Sequence, residues 1–147
     1  MSTSKTSNSQ ASFEDRDRCP CGSGDVVADC CGPIVRGQRR AATAEGLMRS
    51  RYTAFAVQDV EHALRTWHPD RRPDRADLAA SLGEGMRWLR LEVRERTGGG
   101  PFDDEGTVEF VAIARTDQGR RVLHERSRFV REDGTWYYVE GEIIPGL

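Results

Sequence analysis

The feature that most constrains this chain of 147 residues is a cluster of four cysteines near its N-terminus. Cys19 and Cys21 flank a proline, and Cys30 directly precedes Cys31, so every cysteine lies within thirteen residues. Cysteines this close together cannot cross-link distant parts of a domain. The cluster therefore predicts a small local structure that is organised around the thiols themselves.

Four thiolates around one centre form the closed tetrahedral ligand set that is typical of structural zinc. The Gly-Ser-Gly turn at residues 22–24 gives the backbone the freedom to bring the two cysteine pairs together. Because a segment this short buries little apolar surface, metal binding would supply most of its folding free energy. We predict one structural zinc ion, bound by Cys19, Cys21, Cys30 and Cys31.

Disulfides, an iron–sulfur cluster and a redox role are the alternatives to zinc. Adjacent cysteines seldom bridge each other, and a cytosolic chain is kept reduced. The spacing is also unusual for iron–sulfur ligation. Zinc is therefore favoured, and thiol redox chemistry stays open as the alternative.

Charge and hydropathy exclude several classes of function. The formal net charge is −2, so the overall field does not favour nucleic acid, and the arginine runs at 36–40 and 71–75 are interpreted as solvated surface. No apolar run approaches the roughly 18 residues of a membrane span, and the first dozen residues lack the apolar segment of a secretory signal. We expect a cytoplasmic protein that binds neither membrane nor nucleic acid.

Three regions follow from composition along the chain. Residues 1–16 are rich in Ser, Thr, Asn and Gln and predict a disordered tail, because they offer almost no apolar surface to bury. The predicted zinc knuckle occupies residues 17–34. Residues 35–147 have the length and patterning of one domain with a single main core.

Helices are predicted in the first half of that domain and strands in the second. Thr43 can cap a helix at about 43–57, Asp59 a second helix that ends before Pro69, and a short third helix is expected near 75–82. From Leu89 the apolar period becomes two, with further strands at 107–114, 120–131 and 135–140. Asp-Gly at 133–134 signals a hairpin. This order predicts an α+β fold with helices packed on one face of a curved antiparallel sheet.

The cysteine segment resembles the SEC-C motif, a zinc-binding element known from the C-terminus of the SecA translocation ATPase. The resemblance rests on the segments CPCGSG at 19–24 and CCGP at 30–33. In that motif a histidine usually takes the place of Cys31, and lysine and an aromatic residue often follow the turn, where this chain has DVVAD at 25–29. What the resemblance implies is metal binding.

A wider resemblance covers residues 19 to about 141. The segments TAEGLMRSRYTAF at 43–55, TWHP at 66–69, ERSRF at 125–129 and WYYVEG at 136–141 are similar to the YchJ family of bacterial proteins. The resemblance implies a SEC-C knuckle joined to a nuclear-transport-factor-2-like domain, in which a cone of helices is wrapped by a bent antiparallel sheet. It implies a fold and a metal rather than a reaction.

Domains of this shape often enclose a pocket, although fold alone does not establish a function. The candidate pocket residues are Tyr52, Trp67, His68, Glu125 and Arg128. His68 precedes a proline and can instead satisfy loop backbone. His124 and Glu125 are strand neighbours and must face opposite sides, so they cannot act as a pair. Glu125 can also be structural, paired with Arg49 or Arg51.

Two functions are compatible with these observations. The first is an adaptor that is not an enzyme, whose zinc knuckle contacts a protein or ribonucleoprotein partner. The alternative is a small-molecule enzyme or ligand-binding protein that uses His68 or Glu125 in the pocket of the cone. The sequence leaves open whether the domain is catalytic, which substrate or partner it takes, and its oligomeric state.

Overall fold

Helices occupy the first half of the described chain and strands the second half. The computed structural model describes residues 13–82 and 86–145. In these residues the α-helices are α1 (Cys31–Val35), α2 (Ala44–Ala56), α3 (Val60–Arg65) and α4 (Arg75–Leu82), with single 3-10 turns at Val27–Asp29 and Pro69–Arg71. No helix in this part of the chain is long and apolar enough to cross a membrane.

The strands form one antiparallel sheet in which sequence neighbours are also spatial neighbours. They are β1 (Arg87–Gly98), β2 (Glu105–Thr116), β3 (Gly119–Glu132) and β4 (Thr135–Ile143), in the order β1-β2-β3-β4. The helices pack on one face of this sheet, so the predicted α+β fold is confirmed.

Local signals placed the predicted helices and the last hairpin correctly. The Thr43 hydroxyl accepts a hydrogen bond from the backbone N–H of Gly46 at 3.0 Å, and the Asp59 carboxylate accepts one from His62 at 3.1 Å. Asp133 and Gly134 both have positive φ, of 53° and 77°, as a two-residue type I′ hairpin requires.

The apolar alternation that begins at Leu89 predicts that Leu89 shares the inward face with Leu91, but Leu89 is 45% exposed whereas Leu91 is buried. The pairing register shifts here: Trp88 lies opposite Ala114, whereas Arg90 lies opposite Ile113. Such a bulge adds one residue to β1 and moves the alternation to the other face. Trp88 packs inward instead, with its ring centroid 5.7 Å from that of Tyr52.

The cysteine segment packs into the main core of the molecule. Cys19, Cys21 and Cys31 are buried in the same apolar cluster as Leu47 and Trp136. The predicted boundary at residue 34 falls inside α1. The knuckle is therefore continuous with the core of the helices and sheet.

The predicted disordered tail differs from the structure over residues 13–16; residues 1–12 lie outside the described part. Phe13 lies under the Arg36 guanidinium, whose Cζ is 5.2 Å from the ring centroid. Asp15 pairs with the same guanidinium at 2.8 Å. An aromatic contact and an ion pair to the segment after α1 therefore hold residues that composition alone assigned to the tail.

The glycine-rich connection between β1 and β2 is closely packed rather than loose. The Gly99 carbonyl accepts a hydrogen bond from the Ala44 N–H at 2.9 Å, at the first residue of α2. A Cβ atom at Gly106 would overlap the backbone of Gly99. These glycines let the β1–β2 connection approach the start of α2.

We expect Gly106→Ala to lower the free energy of unfolding by about 3 kcal/mol, because the added methyl group has no space. Gly100→Ala is the control: its Cβ would meet only the Asp103 carboxylate, at 3.3 Å. Urea denaturation followed by tryptophan fluorescence measures both. Equal effects of the two substitutions would contradict close packing at Gly106.

Candidate metal centre and cavity

The four cysteine sulfurs meet at one point. All four Sγ atoms lie within 4.8 Å of one another, with 3.6 Å between Cys21 and Cys30 and 3.9 Å between Cys30 and Cys31. A tetrahedral ion with metal–sulfur bonds of roughly 2.3 Å would set its sulfurs roughly 3.8 Å apart. All four cysteines are free of disulfides. The geometry fits a four-coordinate metal ion.

A tight turn and a short helix bring the two cysteine pairs together. Gly22 and Gly24 have positive φ, of 81° and 94°, and the Cys19 N–H donates to the Asp25 carbonyl at 2.9 Å. The second pair lies at the start of α1. At the Gly-Ser-Gly turn, both glycines therefore adopt the left-handed backbone conformation that glycine permits.

The four neighbouring thiols form a donor set that suits a cation. Burial raises the pKa of the Cys30 thiol to about 11, and the neighbouring Cys19 thiol raises the pKa of Cys31 and lowers the pKa of Cys21. Four thiols this close cannot all ionise unless a positive charge offsets their repulsion. A divalent ion bound by Cys19, Cys21, Cys30 and Cys31 would supply that charge and would hold all four as thiolates.

Helix α2 presents one face to this cluster. The Thr53 hydroxyl lies 3.7 Å from the Cys19 Sγ, and Arg49, four residues earlier, donates to the Cys21 carbonyl at 2.9 Å. Arg49 also pairs with Glu45 at 2.9 Å. The spacing of four places Arg49 and Thr53 on the same side of the helix.

A second face of α2 closes a cavity of about 160 Å³ against the sheet. Met48, Arg51, Tyr52 and Phe55 line it from the helix, with the i, i+3, i+4, i+7 spacing of one helical stripe. The rest of the wall is mainly aromatic and includes Trp67, Trp88, Phe110, Phe129 and Tyr138. The charged side chains in the wall are Arg51 and Glu125.

Three of the five predicted pocket residues line this cavity: Tyr52, Trp67 and Glu125. His68 lies elsewhere, because its Nδ1 accepts from the Asp70 N–H at 3.1 Å and its Nε2 pairs with Glu132 at 3.0 Å. The ring therefore caps the loop, which was the alternative interpretation of its sequence context.

Arg128 also lies outside the cavity wall. It alternates along β3 with Ser127 and Phe129, which face inward, and pairs with Glu140 at 3.3 Å. The predicted place of Arg128 in the pocket is corrected by this alternation.

Arg51 is a buried cation without an ion pair. Arg51 is only 7% exposed. Its Nη1 donates hydrogen bonds to the Ala63 carbonyl at 2.8 Å and to the Thr66 hydroxyl at 2.7 Å. The predicted pairing with Glu125 is not formed, since no carboxylate of the described residues lies within 4.0 Å of this guanidinium. Arg51 is thus held by α3 rather than by an acid.

Aromatic rings surround the same guanidinium. Its Cζ lies 4.5 Å from the ring centroid of Tyr138, 5.0 Å from Trp67 and 5.7 Å from Phe55. Ring faces stabilise a desolvated cation. Burial lowers the pKa of Arg51 to about 10, so the group stays charged at neutral pH.

Part of the Arg51 guanidinium remains available to the cavity. Its Nε and Nη2 have no hydrogen-bond partner among the described residues, whereas Nη1 has two. Among the described residues, His124 Nδ1 is the one fully buried side-chain nitrogen that lacks a hydrogen-bond partner. Nε and Nη2 of Arg51 also lack a partner, so they are not fully buried. Arg51, which lines the cavity, therefore keeps two donor nitrogens without a hydrogen-bond partner among the described residues.

Glu125 lies on the sheet side of the cavity. Its Oε2 accepts hydrogen bonds from the Ser127 hydroxyl at 2.8 Å and from the Tyr138 hydroxyl at 3.5 Å. The carboxylate lies over Gly141, where any side chain would overlap it. Tyr138 thus contacts both charged groups, with its ring near Arg51 and its hydroxyl near Glu125.

His62 was missed by the sequence analysis, and its hydrogen bonds show a structural role. The Ser50 hydroxyl donates to the Leu47 carbonyl at 2.8 Å, so it accepts from His62 Nε2 at 2.9 Å. His62 Nδ1 then accepts from Arg65 at 3.0 Å. This arrangement leaves no basic nitrogen on His62 to activate Ser50. The sequence signal that could have identified His62 is its position three residues after the Asp59 cap, on the helix face that packs inward.

Comparison with known proteins identifies similar domains. Residues 43–141 match the family model described as YchJ, middle NTF2-like domain. A UPF0225 protein of Streptomyces coelicolor is 48% identical over 126 residues, which cover 86% of this chain and 95% of that protein. A UPF0225 protein of Geobacter sulfurreducens is 44% identical over 124 residues, covering 84% of this chain and 77% of that protein.

Two solved structures are similar over most of the chain. A SEC-C motif containing protein from Rhodopseudomonas palustris has a TM-score of 0.77 and 40% identity, covering 86% of this chain and 98% of that one. A SEC-C motif containing protein from Psychrobacter arcticus has a TM-score of 0.72 and 28% identity, covering 88% and 84%. The similarity thus includes the cysteine segment as well as the helices and sheet.

We predict that His62 makes the protein less stable in mild acid. Burial lowers its pKa from 6.5 to about 3, with contributions from Arg65 and Arg51. Below pH 6.5 the unfolded chain binds a proton that the folded chain excludes, so stability is full above pH 6.5 and falls as the pH falls toward 3. The loss should reach about 2 kcal/mol at pH 5.

Urea denaturation at pH 7 and pH 5 measures this loss. In His62→Gln, most of the loss of unfolding free energy between pH 7 and pH 5 should disappear. In His68→Gln, which changes a surface pair, the loss should be the same as in the natural protein. The same pH dependence in His62→Gln and in the natural protein would contradict the assignment.

Proposed function

This chain belongs to the YchJ family of UPF0225 proteins, and we propose that it is a zinc-stabilised protein that binds a small molecule in its cavity. The observation that carries the proposal is the Arg51 guanidinium, buried in an apolar cavity with two donor nitrogens unpaired among the described residues. Apolar cavities with a few convergent polar groups are the usual form of ligand sites. A charge is costly to bury without a partner, which a ligand can supply.

The metal has a structural role in this proposal. Zinc would be held by Cys19, Cys21, Cys30 and Cys31, and four protein ligands leave no position for substrate. Because Cys19, Cys21 and Cys31 are buried against α2, the ion would also fix the helix that forms the cavity wall. Its contribution is stability and position rather than catalysis.

Binding is better supported than catalysis. The three histidines are engaged elsewhere: His62 with Ser50 and Arg65, His68 with Glu132, and His124 with Glu109 at 2.7 Å. None of them lines the cavity. A general base within reach of a bound substrate would thus have to be Glu125, which already accepts two hydrogen bonds.

The adaptor role stays a prediction from the sequence. The turn at residues 22–25 is exposed, so a protein or ribonucleoprotein partner could reach it without displacing the buried cysteines. The cytoplasmic location is likewise an expectation from composition. The geometry of the described residues favours the cavity as the functional site.

We predict that Cys21→Ser abolishes stoichiometric zinc binding and lowers the free energy of unfolding by at least about 3 kcal/mol. Cys21 is fully buried beneath α2, so the loss should spread to the whole core. Elemental analysis and thermal unfolding measure the two effects. Ser81→Ala, at an exposed position in α4 away from the cysteines, should leave both unchanged. Full zinc content in Cys21→Ser would contradict the ligand assignment.

A second prediction concerns the cavity. Benzyl alcohol, a neutral probe of one-ring size, should bind the zinc-loaded protein in saturation-transfer NMR. Leu123→Trp should weaken the signal by occupying part of the cavity, whereas Val122→Trp, its neighbour on the opposite face of β3, should not. Equal binding of the probe to the two variants would contradict the proposal. Absence of binding to the natural protein and to both variants would contradict it as well.

A further inference from the structure

We infer that the ligand is a monocarboxylate whose apolar body is about the size of one aromatic ring, with its carboxylate bound by Arg51. This inference rests on the proposed function and names the ligand class for the same cavity. It follows from three properties of the wall: the chemistry of the unpaired donors, the volume, and the position of the second charge.

The donors of Arg51 select an anionic acceptor. Nε and Nη2 lie on one edge of the planar guanidinium, and paired donors on such an edge bind the two oxygens of a carboxylate. Nη1 is fixed by Ala63 and Thr66, so the free edge keeps a constant orientation. The ring faces of Trp67 and Tyr138 beside Cζ lower the local polarity, which strengthens a charge contact at this group.

The cavity volume limits the ligand to a small molecule. It measures about 160 Å³, and an apolar cavity of about 150 Å³ in another protein is known to hold benzene. The walls beside the guanidinium are the rings of Trp67, Phe55 and Tyr138, which suit a flat apolar body. A nucleotide or a lipid chain would exceed this space.

Glu125 restricts the ligand to one negative charge. Its carboxylate lines the same cavity and lies 3.5 Å from the hydroxyl of Tyr138, whose ring contacts Arg51. A phosphate or a dicarboxylate would bring a second negative charge close to Glu125. A monocarboxylate adds only one negative charge to a cavity whose wall already holds one cation and one anion.

The test compares two ligands of equal size on the zinc-loaded natural protein. Benzoate should bind at least tenfold more tightly than benzamide in isothermal titration, and phenyl phosphate should bind more weakly than benzoate. Benzamide binding as tightly as benzoate would overturn the inference and leave the proposed function intact. Absence of binding by benzoate, benzamide and benzyl alcohol would overturn both.

Variants locate the preference on Arg51. Arg51→Met should bring the ratio of benzoate to benzamide affinity close to one, whereas Arg128→Met, a surface arginine outside the cavity, should keep it at ten or more. Arg51 also supports α3, so Arg51→Lys serves where Arg51→Met does not fold. It should lower the ratio several-fold, because a lysine cannot form the two-donor contact. An unchanged ratio in a folded Arg51 variant would overturn the assignment.

Discussion

Helix α2 must bury two different faces at once, and the rest of the structure depends on this constraint. Arg49 and Thr53 face the cysteine cluster, while Arg51, Tyr52 and their neighbours one turn away close the cavity. A spacing of four residues along each face keeps the two sets apart. The cysteine cluster and the cavity are therefore both built on α2, and the cysteine segment is part of the same core as the helices and sheet.

The buried guanidinium explains why that core contains a cavity. A charge in an apolar interior needs hydrogen bonds and polarisable surroundings. Arg51 obtains the first from α3 and the second from the rings of Trp67 and Tyr138, which replace the ion pair expected with Glu125. Filling the remaining edge with protein would require another buried acid. In this structure the edge has no protein partner among the described residues, and the proposal is that a ligand in the cavity completes it.

Local chemistry was predictable from the sequence, whereas pairing across the sheet was not. The caps at Thr43 and Asp59 and the Asp-Gly hairpin depend on a few consecutive residues, and so does the approach of the four cysteines. Leu89 was misplaced because a bulge is a property of two strands. His68 and Arg128 were misplaced, and the roles of Arg51 and His62 were missed, because they depend on which helices and strands meet in space.

The proposed contact between the free edge of Arg51 and the ligand is tested most directly by the ¹⁵N NMR signal of the Arg51 Nε–H group, followed in the zinc-loaded protein during titration with benzoate. We expect a saturable shift of this signal that is larger than that of any surface arginine and is reduced in Leu123→Trp. An Arg51 signal that stays unchanged while benzoate binds, or shifts confined to surface groups such as Arg128, would rule out this contact.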